Sequence, residues 1–211
     1  MLLTVVDYGV GNLRSIAKSI EKANFDNSLN YSVKVSSDVN DIKRSDKIVL
    51  PGQGSFKACK SGIDNIVGLQ EELNESVLIK KKPIYGICAG MQLFATIGNE
   101  EEKTPGLNWI PGEVIKLNLG TSNLKIPHMG WNELKVESNS KVFEDKINKD
   151  HAYFIHSYEF IPKDKKNVSI TTNYGKDIIA AVSSGNIFGS QFHPEKSQNT
   201  GIKILTNFLN L

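Results

Sequence analysis

The amino-acid sequence predicts an α/β protein: a mostly parallel sheet flanked by helices, with an antiparallel β addition late in the chain. Three observations predict it. Short apolar runs in the first half alternate with segments of helical periodicity, the pattern of strands joined by crossover helices. The second half carries closely spaced β-like runs with hairpin-type breaks such as Asn173-Tyr174-Gly175 and Ser184-Gly185-Asn186. The 211 residues, 39% hydrophobic and 23% charged, fit one globular domain, 1–211, with its own core.

Each element follows from local pattern. Leu2–Val6 is an apolar run ending in Asp7-Tyr8-Gly9, a buried strand followed by a turn. Leu13, Ile16, Ala17, Ile20 and Ala23 then recur at helical spacing behind Asn12, a candidate N-cap. Val33–Val35 and Lys47–Leu50 read as strands, the latter closed by Pro51-Gly52. A helical segment around Ile66–Lys81 precedes a strand at Pro83–Ile87, and Met91–Ala95 opens the next helix. Further on, Glu113–Leu119, Asn132–Val136, Tyr153–Phe160, Val168–Thr172, Ile178–Ser183 and Ile187–Phe192 are β-like. Lys163–Asn167 is a charged surface turn. Ile202, Leu205 and Leu209 give Gly201–Leu211 the spacing of a closing helix.

Composition excludes several classes of function. A formal charge of +2 with scattered lysines argues against a nucleic-acid partner. Lys80-Lys81-Lys82 reads as a solvated helix end. The apolar stretch Tyr85–Gly98 is broken by Gln92 and Thr96 and falls short of the ~20 residues of a membrane span. Two cysteines, Cys59 and Cys88, make no disulfide framework, and four dispersed histidines suggest no metal. Gly9-Val10-Gly11 continues to Arg14 where a dinucleotide loop needs glycine, so it reads as a tight turn near the site and no cofactor is expected. The opening MLLTVVDYG lacks the basic leader of a signal peptide, and free thiols suit a cytoplasmic, reducing setting.

The chemistry centres on Cys88. Pro83-Ile84-Tyr85-Gly86-Ile87-Cys88-Ala89-Gly90-Met91-Gln92-Leu93 reads strand, abrupt turn, helix, with glycines two residues to either side of the cysteine. That is the layout of a nucleophile elbow with sulfur in place of a hydroxyl. The glycines let neighbouring backbone pass without Cβ clashes, and a helix N-terminus favours thiolate and frees N–H groups for a developing oxyanion. A lone cysteine in an apolar strand is more often a small buried hydrophobe, so a base elsewhere must decide the matter. Cys59 has no such setting and reads as structural.

The base lies in Gln191-Phe192-His193-Pro194-Glu195, at the end of an apolar strand. Residues two apart in extended chain share a side, and Pro194 holds His193 extended. His193 is the general base and later acid, and Glu195 sets its tautomer. His151 sits among polar residues, and His128 and His156 lack a carboxylate at matching spacing.

With these residues in place, the chain resembles the class I glutamine amidotransferases, and more closely the glutaminase subunits of imidazole glycerol phosphate synthase. The resemblance runs nearly end to end. It is carried by Asp7-Tyr8-Gly9-Val10-Gly11-Asn12-Leu13, Pro51-Gly52-Gln53-Gly54-Ser55-Phe56, Gly86–Gln92, Pro127-His128-Met129-Gly130-Trp131-Asn132, His156-Ser157-Tyr158 and Gln191–Glu195. It implies a flavodoxin-like fold and hydrolysis of L-glutamine through a Cys88–His193–Glu195 triad. The N–H of Ala89 and one from the Gly52-Gln53 loop would hold the oxyanion. Gln92, Glu100 and the Ser157-Tyr158 backbone would hold the glutamine's α-amino and carboxylate groups. Gln53 stands where the family commonly has valine, and Ala89 where a larger aliphatic is usual. The implied partner is a (β/α)₈ cyclase that receives ammonia within a heterodimer, since nothing else in the chain could use it. The same chemistry could serve sugar-precursor amidation or anthranilate synthesis, the latter disfavoured by Pro127–Asn132. Outside the family, the alternatives are a stand-alone cysteine hydrolase and a non-catalytic binding module.

Overall fold

The computed structural model describes residues 1–211. In the first half, β1 (Leu2–Val6), α1 (Leu13–Asp26), β2 (Ser32–Ser36), α2 (Val39–Arg44), β3 (Lys47–Leu50), α3 (Phe56–Asp64), α4 (Leu69–Asn74) and β4 (Ile84–Ile87) follow the expected alternation. The Asn12 side chain caps α1, accepting from the Ser15 N–H at 3.4 Å. The short helix α2 was not foreseen, and α3 opens on Phe56–Lys60, a stretch whose sequence suits helix or loop. The helix expected over Ile66–Lys81 is α4 continued by a π turn over Glu75–Ile79.

After β4 the chain makes a single helical turn, α5 (Ala89–Gln92), where a longer helix was expected. The carbonyls of Leu93, Ala95 and Phe94 are instead taken by the N–H groups of Leu107, Asn108 and Trp109. That arrangement turns the chain into an unforeseen hairpin, β5 (Ile97–Glu100) and β6 (Glu102–Pro105), pivoting on Glu101 at φ 60°. Then come β7 (Gly112–Lys116), β8 (His128–Glu133), β9 (Lys135–Val136), β10 (His151–His156), β11 (Tyr158–Pro162), β12 (Val168–Asn173), β13 (Asp177–Ser184), β14 (Ile187–Ser190) and α6 (Gln198–Leu209). The expected strand Tyr153–Phe160 divides at Ser157 because its halves join different sheets. β10 pairs with β8, and β11 with β7.

The main sheet has the order β2-β1-β3-β4-β14-β13-β12-β9. β2, β1, β3, β4 and β14 are mutually parallel, and β13, β12 and β9 add antiparallel. The late segment Ile187–Phe192, grouped by sequence with the antiparallel addition, thus returns to the parallel core beside β4. Side chains alternate across the sheet. Leu3, Val5, Val49, Tyr85 and Ile87 join α1 and α6 in one core cluster. Val6, Ile48, Leu50 and Ile84 join α2, α3 and α4 in the other.

Lys47 is a charged exception at the start of β3. Its Nζ donates to the carbonyls of Phe208 (2.7 Å) and Leu209 (2.8 Å), at the C-terminus of α6. It also lies 5.4 Å from the Tyr31 ring centre and 5.5 Å from that of Phe208. Burial pushes its pKa down to about 8, but the carbonyl end of a helix suits a cation. Lys47→Met strands those carbonyls and is expected to destabilise the fold by about 1–3 kcal/mol, read from urea unfolding at pH 7.

Candidate active site

Three parallel strands, β3, β4 and β14, lie side by side, and their C-terminal ends open onto one crevice. This is where doubly wound sheets place ligands. Pro51–Gly54 follows β3, Cys88 follows β4, and Gln191–Glu195 follows β14. The register continues past the strands, with the Cys88 N–H donating to the Ser190 carbonyl at 2.7 Å.

Cys88 sits at φ 54°, ψ −114°, a conformation that costs a non-glycine residue about 1–3 kcal/mol. The flanking glycines serve close approach. A Cβ on Gly90 would lie 2.1 Å from the Leu50 carbonyl oxygen, and one on Gly86 would lie 2.5 Å from the Phe94 ring. Gly52 is tighter still, since its Cβ would fall 2.0 Å from the Gly90 nitrogen. The Pro51–Gly54 loop therefore rests directly on the elbow backbone. Neither the Ala89 nor the Gln53 N–H has a partner within the chain, which leaves both free for an oxyanion. With only four residues, α5 contributes little dipole, so the sequence-based appeal to a helix N-terminus is weakened.

His193 supplies the charge instead. Its Nδ1 lies 2.8 Å from Glu195 Oε1, so Nδ1 carries the proton and Nε2 is left for the thiol. Burial lowers the imidazole's pKa, but hydrogen bonding to Cys88 and Glu195 outweighs it and lifts the value to about 10. His193 is extended as expected (φ −96°, ψ 101°). Glu195, however, belongs to a 3₁₀ turn over Pro194–Lys196, and that turn rather than continued strand brings its carboxylate back to the ring. The His193 backbone is fixed by Tyr153, whose carbonyl accepts its N–H at 2.9 Å, and by the Ser197 hydroxyl, which donates to its carbonyl at 2.7 Å. The second Glu195 oxygen is buried with no partner.

A cavity of about 340 Å³ brings together every residue singled out from the sequence: Gly52, Gln53, Cys88, Ala89, Gln92, Glu100, Ser157, Tyr158, His193 and Glu195. Glu100 is anchored there by the Phe56 N–H, which donates to its Oε2 at 2.7 Å. Asn12, Pro127, His156 and Lys196 also line it, none of them expected there. Gln191 was missed too, although it stands two residues before His193 and reaches Cys88 Sγ at 3.6 Å through its Nε2. Cys59 is structural as expected, buried in the core with its thiol toward the Gln53 carbonyl at 3.6 Å. No cluster of three or more His, Cys, Asp or Glu could hold a metal. No helix is long and apolar enough to cross a membrane.

A family model described as glutamine amidotransferase class-I matches residues 4–211, and the chain belongs to that family. It is also 50% identical over 211 residues, 100% of both chains, to the imidazole glycerol phosphate synthase subunit HisH of Pelagibacter ubique. The protein of that description from Brucella suis is 41% identical over 212 residues, covering 99% of this chain and 98% of the relative. Among solved structures, a glutamine amidotransferase superposes with a TM-score of 0.72 at 16% identity, covering 99% of each chain. A glutamine amidotransferase from Thermotoga maritima superposes at 0.61 and 16% identity, covering 92% of this chain and 76% of that one. At such identities the structural likeness speaks for the fold alone.

Two further histidines are held uncharged. Burial lowers His128 to about 4 and His156 to about 3, the latter against a raising hydrogen bond to the Tyr158 carbonyl. The unfolded chain binds these protons near pH 6.5 and the folded protein does not, so stability falls as pH drops below that value. The loss approaches about 1.4 kcal/mol per pH unit for each ring. His193 has the opposite sign: its contribution is complete below about pH 6.5 and is lost as pH rises toward 10, so it does not mask the acid effect. Urea midpoints at pH 6.5 and 5.0 are expected to differ less in His156→Asn than in the native protein.

Proposed function

We propose that this chain hydrolyses L-glutamine to glutamate and ammonia. Its product ammonia passes to a (β/α)₈ cyclase, in the heterodimer that makes imidazole glycerol phosphate and AICAR for histidine biosynthesis. The observation that carries this reading is the convergence in one cavity of a strained thiol, an imidazole–carboxylate pair and two unpaired N–H groups. Whole-length identity to subunits HisH supports the pathway.

In this reading Cys88 Sγ attacks the carboxamide carbon of glutamine. Its proton has passed to His193 Nε2, so an imidazolium stands between thiolate and carboxylate. The tetrahedral oxyanion takes hydrogen bonds from Ala89 N–H and Gln53 N–H. Removing one such donor typically costs about 10²–10³ in rate. His193 then protonates the departing nitrogen as the C–N bond breaks, leaving a glutamyl thioester. Neutral His193 next takes a proton from water, whose oxygen attacks the thioester, and glutamate leaves as the thiolate is restored. Glu195 keeps the proton on Nδ1 throughout. Gln92, Glu100 and the Ser157-Tyr158 backbone receive the α-amino and carboxylate groups of the substrate.

A partner is supported by the rim of the cavity. Met129 (57% exposed), Trp131 (48%) and Ile155 (36%) line one face of the β8–β10 ribbon, and Ile155 also lines the cavity. Adjoining apolar side chains beside a reactive centre suit a docking protein. A reducing cytoplasm suits both free thiols.

The test is a glutaminase assay with and without the cyclase and its nucleotide ligand. Turnover is expected to rise when the partner is added; strong turnover in isolation, unchanged by the partner, refutes the coupled heterodimer. Cys88→Ala is expected to abolish glutamine hydrolysis while the complex still uses added ammonium. Persisting glutamine turnover in that variant refutes the nucleophile. Glu195→Gln is expected to lower kcat by about 10²–10⁴ with intact folding, because the imidazole loses its tautomer and its charge partner.

A further inference from the structure

His128 and His156 face each other across the β8–β10 ribbon, buried, and neither has a part in the chemistry above. Their protons can be placed from partners alone. His156 Nδ1 lies 2.8 Å from the Tyr158 carbonyl oxygen, which only accepts, so Nδ1 carries a hydrogen. Burial keeps the ring neutral, so His156 Nε2 is a lone pair, 3.0 Å from His128 Nδ1, which must donate to it. His128 Nε2 is then an acceptor, and Asn132 Nδ2 donates to it at 3.2 Å. The same Asn132 amide donates to the Asn173 carbonyl at 2.8 Å. Every hydrogen bond in this chain therefore runs one way, from Asn132 through both imidazoles to Tyr158. The His128 ring is clamped between Phe154 and Tyr174, with ring centres 4.6 and 4.1 Å away.

At its far end the chain meets the substrate cavity. The Tyr158 carbonyl also accepts from Gln92 Nε2 at 3.1 Å. The same Gln92 amide donates to Gln191 Oε1 at 2.9 Å. With both its hydrogens used, Gln92 can offer the cavity only its Oε1, an acceptor suited to an ammonium group. At the near end, Met129 and Trp131 alternate with His128 and Asn132 along β8, so the outer apolar face and the inner polar face share one backbone.

We propose that His128 and His156 are positioning residues for glutamine, a directional hydrogen-bond relay that fixes the Tyr158 carbonyl and the Gln92 amide so that Gln92 Oε1 receives the substrate's α-ammonium. The relay rests on glutamine being the substrate. It ties the grip on the amino-acid end of the substrate to the strand that carries Met129 and Trp131.

Two substitutions at one position separate relay from packing. His156→Asn places an amide near the Nδ1 position and keeps a donor for the Tyr158 carbonyl. His156→Gln places its amide near Nε2 and loses that donor. In the complex with the cyclase, His156→Gln is expected to raise KM for glutamine about 10-fold, with kcat within about threefold. Tenfold corresponds to about 1.4 kcal/mol, the size of one hydrogen bond. His156→Asn keeps the donor to the Tyr158 carbonyl but loses the link to His128, and is expected to raise KM about threefold, between the native protein and His156→Gln. Equal KM for the two variants, or a native KM in His156→Gln, overturns the relay. Should His156→Gln fail to fold, His128→Leu cuts the relay one link earlier and is expected to raise KM about threefold or more, an unchanged value overturning it. ¹⁵N NMR of the native protein supplies a readout independent of activity: both rings are expected to carry hydrogen on Nδ1, and an Nε2–H tautomer at His156 overturns the assignment. Absence of glutamine turnover in the native complex would instead refute the proposed function, and the tautomer result would stand apart from it.

Discussion

Where β3 and β4 end, two loop backbones meet with no side chain between them. Gly52 lies so close to Gly90 that a single added carbon would collide with the elbow, and Gly90 is equally close to the Leu50 carbonyl. Cys88 is thereby forced into its unfavourable conformation, because the turn has no room to relax toward β3. Ala89 and Gln53 both line the crevice beside this contact, and neither N–H is used in a helix or sheet ladder. Strain of about 1–3 kcal/mol at one residue persists only when neighbouring structure over-determines it. Here that structure is a parallel sheet buried on both faces, with β4 held between β3 and β14. From behind, the Tyr8 hydroxyl donates to the Pro51 carbonyl and the Cys59 thiol faces the Gln53 carbonyl. Burial pushes the Cys59 thiol up to about 11, which keeps it protonated and inert. One cysteine is a strut for the loop that the other needs.

Charge in the site follows from the same geometry. A four-residue helix cannot supply much field, so the electrostatic burden falls on His193 and Glu195. Glu195 gives one oxygen to the imidazole and leaves the other buried and unpartnered, as is the hydroxyl of Tyr85. A carboxylate poorly solvated by its own surroundings gains more from an adjacent cation, which favours the imidazolium. The raised His193 and the lowered His128 and His156 are thus one phenomenon with two outcomes. All three rings are buried, but only His193 has anionic partners.

How much of this was legible in the sequence depended on how local the cause was. The elbow was legible because Gly86 and Gly90 bracket Cys88 within five residues, and every candidate residue reached the cavity. The α/β class and most strands of the main sheet were legible from short apolar runs. What failed was non-local. Ile187–Ser190 reads as a buried strand in any partner arrangement, and only long-range pairing with Ile84–Ile87 makes it parallel. Nothing at Ser157 marks the change of sheet between β10 and β11. The β5–β6 hairpin is polar and turns on a glutamate with positive φ, so it carried neither apolar periodicity nor a turn glycine. Gln191 did carry a signal, its spacing of two from His193. His128 and His156 were set aside for want of a carboxylate, since 28 positions hide that each is the other's partner.

The β8–β10 ribbon concentrates consequences that a thicker element would separate. In a two-stranded ribbon, residues alternate faces at single-residue intervals, so nothing but backbone lies between Met129 or Trp131 outside and His128 or Asn132 within. The His128–His156 bond crosses between the two strands and ties their inner faces together. A chain of neutral hydrogen bonds is suited to that task. It transmits position without charge, it has no second protonation state at neutral pH, and each of its links has one direction. An ion pair at the same place would incur a larger desolvation cost and would respond to salt and pH. His128 and His156 stay neutral at neutral pH, beside His193, whose contacts with Cys88 and Glu195 favour its charge.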